Sequence, residues 1–285
     1  MLRVGTTYYA YGTNGDAGNV PTLRSRDLVT WTPVRDALPE LGKWAGTGMT
    51  WAPEVLRRRD GRFVLYYTAH APDLDTQCIG RAVAASPTGP FHDRTDYPFI
   101  CQKRQGGSID ASPFADGRAL YLLWKNDGNA IGKDTFIYVQ RLSADGLRLV
   151  GRRKRLVKQD AHWEGKLVEA PTMWREGDRL YLFFSANKYY DETYAVGYAM
   201  CAAPLGPCRD AADNPILETA CDAVGPGHQT IVRDDDGETW LVYHAWPPDA
   251  VGSDFPGRVL WIDRLTWRGG RPDVRGPTCD AQPKP

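Results

Sequence analysis

One pattern of residues returns four times along this chain, and it leaves few folds open. The segments WAPEVLRRRDGRFVLYYTA, SIDASPFADGRALYLLWKN, VEAPTMWREGDRLYLFFSAN and GHQTIVRDDDGETWLVYHAW share one plan. Each carries an acidic or histidine residue near its start, then a short apolar run, a glycine turn, and a β-branched and aromatic run. This is the signature of two antiparallel strands joined by a tight turn, and strand-like stretches such as TFIYVQRL, YAVGYAMC and RVLWIDRLTW follow. The leading residues Glu54, Asp110, Glu169 and His228 are spaced by 56, 59 and 59 residues, and a 285-residue chain holds close to five such periods. Units of strand alone at a fixed period point to an all-β fold, a five-bladed β-propeller of four-stranded blades filling residues 1–285 as one domain. No segment keeps a helical period, which argues against a parallel α/β fold. A two-sheet sandwich would leave the repeat unexplained.

Equivalent positions in successive propeller blades converge around the axis. Glu54, Asp110, Glu169 and His228 are therefore candidates for one polar ring, against the alternative of four unrelated exposed residues at strand ends. In these four units the turn glycine follows the candidate ring residue by seven to nine positions. The first unit turns at Val4-Gly5-Thr6-Thr7 and continues into Tyr8-Tyr9-Ala10-Tyr11, so the same count places its ring residue before Met1. Counting back one period from Glu54 reaches the same place. The expectation is an N-terminal truncation, with a first blade lacking its innermost strand.

Composition narrows the function. Lysine plus arginine equals aspartate plus glutamate at 35 each, so the formal net charge is zero and nucleic acid is a poor partner. No apolar run approaches the roughly 18 residues of a membrane-spanning helix, so no membrane partner is expected. Ten tryptophans and 14 tyrosines suit a surface that stacks on flat ligands. The six cysteines allow 15 complete pairings, and none forms a CxxC pair. Cys201 and Cys208 bracket the turn AAPLGP, Cys78 and Cys101 bracket a loop containing SPTGPF, and Cys221 and Cys279 remain for each other. Disulfides and a life outside the cytoplasm are favoured over six buried thiols.

The blade-opening motifs WAPEV, SIDASPF, VEAPTMW and GPGH, taken in order, resemble those of glycoside hydrolase family 43 over essentially the whole chain. That resemblance implies a five-bladed propeller acting with inversion on arabinose and xylose linkages of plant polysaccharides. It makes Glu169 the general acid and Asp110 the residue that orients the acid and tunes its pKa. The general base would lie in an Asp-Pro motif upstream of Met1. By the same resemblance His228 faces the axis and helps hold a central calcium ion or water cluster. No cofactor is required for the chemistry. Trp51 resembles a wall of the sugar pocket, with packing between blades as the alternative. Arg258 resembles an arginine that reaches the pocket, with a surface ion pair as the alternative. Glu54 binds sugar hydroxyls or braces the ring, and Trp163, Tyr189, Tyr190 and Trp246 are candidates for subsites or core.

An inverting glycosidase needs one carboxylic acid for the leaving oxygen and one carboxylate for water, about 6.5–9.5 Å apart. A nearby like charge raises the pKa of one partner, the expected service of Asp110 to Glu169. The leading expectation is a secreted, monomeric α-L-arabinofuranosidase or arabinanase-type exo-enzyme working on an oligosaccharide or polysaccharide. A β-D-xylosidase is the alternative, and a sugar-binding propeller without turnover is the alternative from another class.

Overall fold

The computed structural model describes residues 1–280, 282 and 285. Its strands follow one another in five consecutive antiparallel sheets, the blades of a five-bladed β-propeller fold. The first sheet joins β1 (Leu2–Val4), β2 (Thr7–Tyr11), β3 (Pro21–Ser25) and β4 (Thr32–Asp36). The second holds β5 (Trp51–Arg57), β6 (Phe63–Ala71) and β7 (Thr76–Ala84). The third joins β8 (Ser108–Asp116), β9 (Ala119–Asn126), β10 (Phe136–Leu142) and β11 (Leu149–Lys158). The fourth joins β12 (Val168–Glu176), β13 (Arg179–Ala186), β14 (Ala195–Cys201) and β15 (Cys208–Asp210). The fifth joins β16 (Val224–Arg233), β17 (Thr239–Trp246), β18 (Val259–Arg268) and β19 (Arg271–Arg275).

Two expectations about the blades need correction. The first blade does not lack its innermost strand: β1 pairs with β2 through Leu2↔Tyr9, Arg3↔Tyr8 and Val4↔Thr7. Gly5, at φ +61°, takes the left-handed conformation of the connecting turn, so Leu2-Arg3-Val4 is itself the strand, only three residues long. The offset count located a ring residue, which is a different thing from the strand. It is the second sheet that has three strands. Beyond β7 the segment ASPTGPFHDRTDYPFI makes only single bridges, Val83↔His92 and Ile79↔Ile100. Its prolines at 87, 90 and 98 cannot donate to a ladder, which explains the broken edge.

The chain forms two compact units, Met1–Lys133 with Tyr138–Lys154, and Asp134–Ile137 with Arg155–Pro285. The core of the first gathers Val55, Leu65, Tyr67, Ala69, Ala82 and Phe91. The core of the second gathers Tyr181, Phe183, Tyr198, Leu241, Tyr243 and Leu265. In both, alternate residues of adjacent strands supply the apolar face, as period-2 patterning requires. All three expected disulfides form: Cys78–Cys101, Cys201–Cys208 and Cys221–Cys279. The first ties the irregular segment back to β7, where a fourth strand would otherwise hold it.

Candidate active site

The opening strands β5 and β8 of the first unit and β12 and β16 of the second share a defect. Each ladder skips register, between Trp51 and Glu54, Ile109 and Ser112, Glu169 and Thr172, and Gly227 and Thr230. Within each skip lies one non-glycine residue in the left-handed region: Ala52 at φ 46°, Asp110 at 57°, Ala170 at 51° and His228 at 50°. Such a conformation costs on the order of 1 kcal/mol for an L-residue, and a bulge of this kind re-aims the side chains around it. The bulge also corrects the expected register. Asp110 and His228 occupy the left-handed position itself, Glu169 precedes it by one residue and Glu54 follows it by two. Spacing alone treated the four as equivalent, because a one-residue slip barely changes a period of nearly 60.

In the first unit the bulges are braced through hydroxyls. The Asp110 backbone N–H donates to Thr68 Oγ1 of β6 at 3.3 Å, and Thr68 pairs across the ladder with Trp51. Ser112 Oγ donates to Glu54 Oε2 at 3.3 Å, joining equivalent positions of β8 and β5. Asp110 is 7% exposed, while Trp51 and Glu54 are half-buried.

In the second unit the same device is more elaborate. The His228 N–H donates to Ser185 Oγ at 2.8 Å, and Ser185 Oγ donates to Gln229 Oε1 at 2.9 Å. Gln229 Nε2 then donates to the Ala170 carbonyl at 2.9 Å, while Thr172 Oγ1 donates to the Gln229 carbonyl at 2.7 Å. Gln229 is 1% exposed, so it spends its amide on holding the bulge that presents Glu169.

Glu169 is 8% exposed, and the Tyr194 hydroxyl donates to its Oε1 at 2.7 Å. Tyr194 lies one residue before β14, with its ring stacked on His244 at 5.9 Å between centroids and 7° between planes. Gly227 makes room for that ring: a Cβ there would stand 2.0 Å from Tyr194 Cε1. The His244 ring also lies 6.1 Å from that of His228. Arg258 Nη1 is 2.9 Å from His244 Nε2. A guanidinium only donates, so Nε2 is the acceptor and the imidazole proton sits on Nδ1. Burial, the Arg258 cation and His228 together hold His244 well below its ordinary pKa of 6.5, so the ring is neutral. The Arg258 guanidinium lies over the rings of Tyr189, at 5.2 Å, and Trp246, at 5.8 Å. Trp246 Nε1 donates to the Tyr189 carbonyl at 2.9 Å, which fixes this aromatic pair.

The second unit thus brings Glu169, His228 and Arg258 into one continuous set of contacts through Tyr194 and His244. Tyr189 and Trp246 belong to it. Tyr190 is 53% exposed and meets Tyr189 edge to face, whereas Trp163 packs on Phe184 at 5.6 Å. Tyr194, His244, Gln229 and Ser185 escaped the sequence reading. The usable signal was present in part: Gln229 adjoins His228 in GPGHQT, and His244 lies in the strand YHAW of the same unit.

A calcium ion at His228 finds little support in the donor set. Calcium takes six to eight oxygen ligands, and among the described residues His228 joins no cluster of three His, Cys, Asp or Glu ligand atoms. An ion there would rest on water, with the imidazole as an outer partner.

A buried, tyrosine-held carboxyl, linked through Tyr194 and His244 to a cation that lies over two aromatic rings, combines the charged, hydrogen-bonding and aromatic groups that carbohydrate-active proteins use. The model for glycosyl hydrolases family 43 matches residues 1–272, and the chain belongs to that family. A crystal structure of a thermostable family-43 glycoside hydrolase is 32% identical, with a TM-score of 0.89 over 100% of this chain and 94% of the other. A structure titled endo-1,4-beta-xylanase from Bacteroides thetaiotaomicron is 30% identical, with a TM-score of 0.81 over 95% and 91%. The extracellular exo-alpha-(1->5)-L-arabinofuranosidase of Cellvibrio japonicus is 26% identical over 96% of this chain and 84% of its own length. The extracellular endo-alpha-(1->5)-L-arabinanase 2 of Bacillus subtilis is 22% identical over 90% of this chain, which spans 64% of that relative. These relatives hydrolyse glycosyl bonds. No helix among the described residues is long and apolar enough to cross a membrane.

Proposed function

We propose that this protein is an inverting α-L-arabinofuranosidase that releases arabinose from plant polysaccharides such as arabinan or arabinoxylan, with Glu169 as the general acid. The observation that carries this reading is the Glu169 carboxyl, held by Tyr194 inside a patch that offers the hydrogen-bond donors and aromatic faces a sugar ring needs. Glu169 gives a proton to the glycosidic oxygen as the bond to the anomeric carbon breaks, and water attacks the opposite face of the sugar, losing its proton to a carboxylate that acts as general base. By the family resemblance Asp110 orients the acid and tunes its pKa. Trp51, Glu54, Arg258 and His228 bind the sugar or brace its site, and no metal takes part in bond breaking. The arabinose preference leans on the two relatives named for α-(1→5)-L-arabinose linkages. The xylosidase reading has its support in the 30% identical structure named for xylan.

Secretion follows as part of the proposal. Three disulfides persist in oxidising compartments, and the named arabinan-acting relatives are extracellular. A monomeric state is part of the same proposal.

The test is turnover of nitrophenyl α-L-arabinofuranoside against nitrophenyl β-D-xyloside, using protein expressed from the complete reading frame, with the anomer of the first product followed by NMR. Faster arabinoside turnover with inversion supports the proposal. Faster xyloside turnover moves it to the alternative, retention overturns the mechanism, and binding without turnover makes it a sugar-binding propeller. Glu169→Gln should lose most activity on natural linkages and much less on nitrophenyl glycosides, whose leaving group needs little protonation.

A further inference from the structure

Besides Glu169, the second unit gathers three carboxylates to which the proposed hydrolysis gives no role. Asp160 follows β11, Glu164 closes the 3-10 turn His162–Glu164, and Asp210 ends β15. One oxygen from each lies within 4.8 Å of the others. Asp160 and Asp210 are exposed, which leaves a path from solvent, but Glu164 is 0% exposed. Glu164 Oε2 accepts the backbone N–H groups of Asp160 at 2.7 Å and Ala161 at 2.8 Å. Its other oxygen, Oε1, is buried with no hydrogen-bond partner. Among the described residues no lysine or arginine pairs with any of the three, and Lys158, two residues from Asp160, is committed to Asp134 at 2.9 Å.

A fully buried carboxylate with one orphaned oxygen and two like charges beside it is costly, because no counter-charge among the described residues offsets its desolvation. Either protons or a cation must relieve such a cluster. The backbone favours a cation, because it fixes all three groups. Asp210 is anchored by its pairing with Ala199 and by the Cys201–Cys208 disulfide two residues away, and Glu164 is held by its own two backbone bonds. An all-oxygen, anionic donor set with a solvent-facing side suits a hard divalent ion, and calcium accepts irregular geometry completed by water where magnesium does not.

We propose that Asp160, Glu164 and Asp210 form a calcium-binding site that pins the β11–β12 connection to the end of β15. It is independent of the hydrolase reading, and its test uses no activity measurement. Chelator-stripped protein is titrated with calcium chloride by calorimetry, and with terbium chloride by luminescence excited through tryptophan, Trp163 being adjacent to Glu164. One calcium should bind with Kd in the range of roughly 10⁻⁵–10⁻³ M. At a hundredfold excess over Kd it should raise Tm by roughly 5 °C. Asp160→Asn and Asp210→Asn, both at exposed positions that keep the Glu164 cap, should each weaken binding at least about tenfold. His228→Ala should leave it unchanged. The site does not exist if the protein binds no calcium up to about 10 mM, if both Asn variants bind as the parent does, or if only His228→Ala abolishes binding.

Discussion

The Tyr194 hydroxyl donates a 2.7 Å hydrogen bond to Oε1 of Glu169, and both partners are almost fully buried. A typical hydrogen bond contributes about 0.5–1.5 kcal/mol, and here it also chooses one rotamer of the carboxyl proposed as the general acid. Tyr194→Phe keeps the stack on His244 and removes only the donor. We expect kcat on alkyl arabinofuranosides to fall at least about tenfold, with KM within about twofold. An unchanged kcat would mean that Glu169 is oriented by other contacts.

His244 gives the site a pH-dependent stability of defined sign. Its folded pKa lies below the unfolded value of 6.5, chiefly through burial, with Arg258 and His228 adding to it. Below about pH 6.5 the unfolded chain takes up a proton that the folded chain refuses. The contribution of His244 is therefore complete above that pH and is lost as pH falls toward the folded pKa, by up to about 1.4 kcal/mol per pH unit. His244→Gln keeps an acceptor for Arg258 and does not titrate. Urea midpoints from pH 7.5 to 5 should fall less steeply in this variant than in the parent. Parallel slopes would show that the imidazole is protonated in the fold.

The three disulfides close loops of different size. The chain-entropy account gives about 2.5 kcal/mol for Cys201–Cys208, at a separation of 7, and about 4 kcal/mol for Cys221–Cys279, at a separation of 58. Cys221→Ser with Cys279→Ser should therefore lower the unfolding free energy more than the corresponding Cys201 and Cys208 pair. The reverse order would place the effect in native contacts, where β14–β15 pairing depends on the shorter bridge.

The all-β repeat was legible because glycine turns and period-2 strands leave a local mark in the sequence. So were the disulfide partners, which bracket turns or lie left over. The register of the polar ring was not. The bulges at Ala52, Asp110, Ala170 and His228 displace Glu54 by two residues and Glu169 by one, and no residue type marks a left-handed alanine in advance. The supports were hidden for another reason. Tyr194 and His244 read as ordinary strand aromatics, and only the fold carries a tyrosine from the start of β14 to a carboxyl on β12. Arg258 was open between pocket and surface ion pair. In the fold its guanidinium lies against His244, Tyr189 and Trp246, contacts that spacing along the chain does not reveal.

Gln229 is the hidden brace of the bulge beside Glu169. Its amide links Ser185 on β13 to the Ala170 carbonyl in the bulge beside Glu169. Gln229→Leu is close in volume and removes both bonds, leaving a buried carbonyl and a hydroxyl without their partner. A loss of about 2–4 kcal/mol in stability is expected. Calorimetric unfolding of the two proteins measures it, and a change under about 0.5 kcal/mol would mean that the bulge is held by its ladder alone.

Gly227 offers the most direct test that the Tyr194 ring must lie where it does. An added methyl would stand 2.0 Å from Cε1 and 2.4 Å from Cδ1 of that ring, far inside any tolerated contact. The ring is 1% exposed and packed on His244, so it has no free side to move into. Gly227→Ala should therefore displace Tyr194, break its bond to Glu169 and cost about 1–3 kcal/mol of stability. The two effects separate in a double mutant. Adding Tyr194→Phe to Gly227→Ala should cause little further loss of kcat, because the bond is already gone, whereas Tyr194→Phe alone reduces it strongly. If Gly227→Ala keeps full activity, or if the two losses simply multiply, the tyrosine does not reach the acid by the route that Gly227 leaves open.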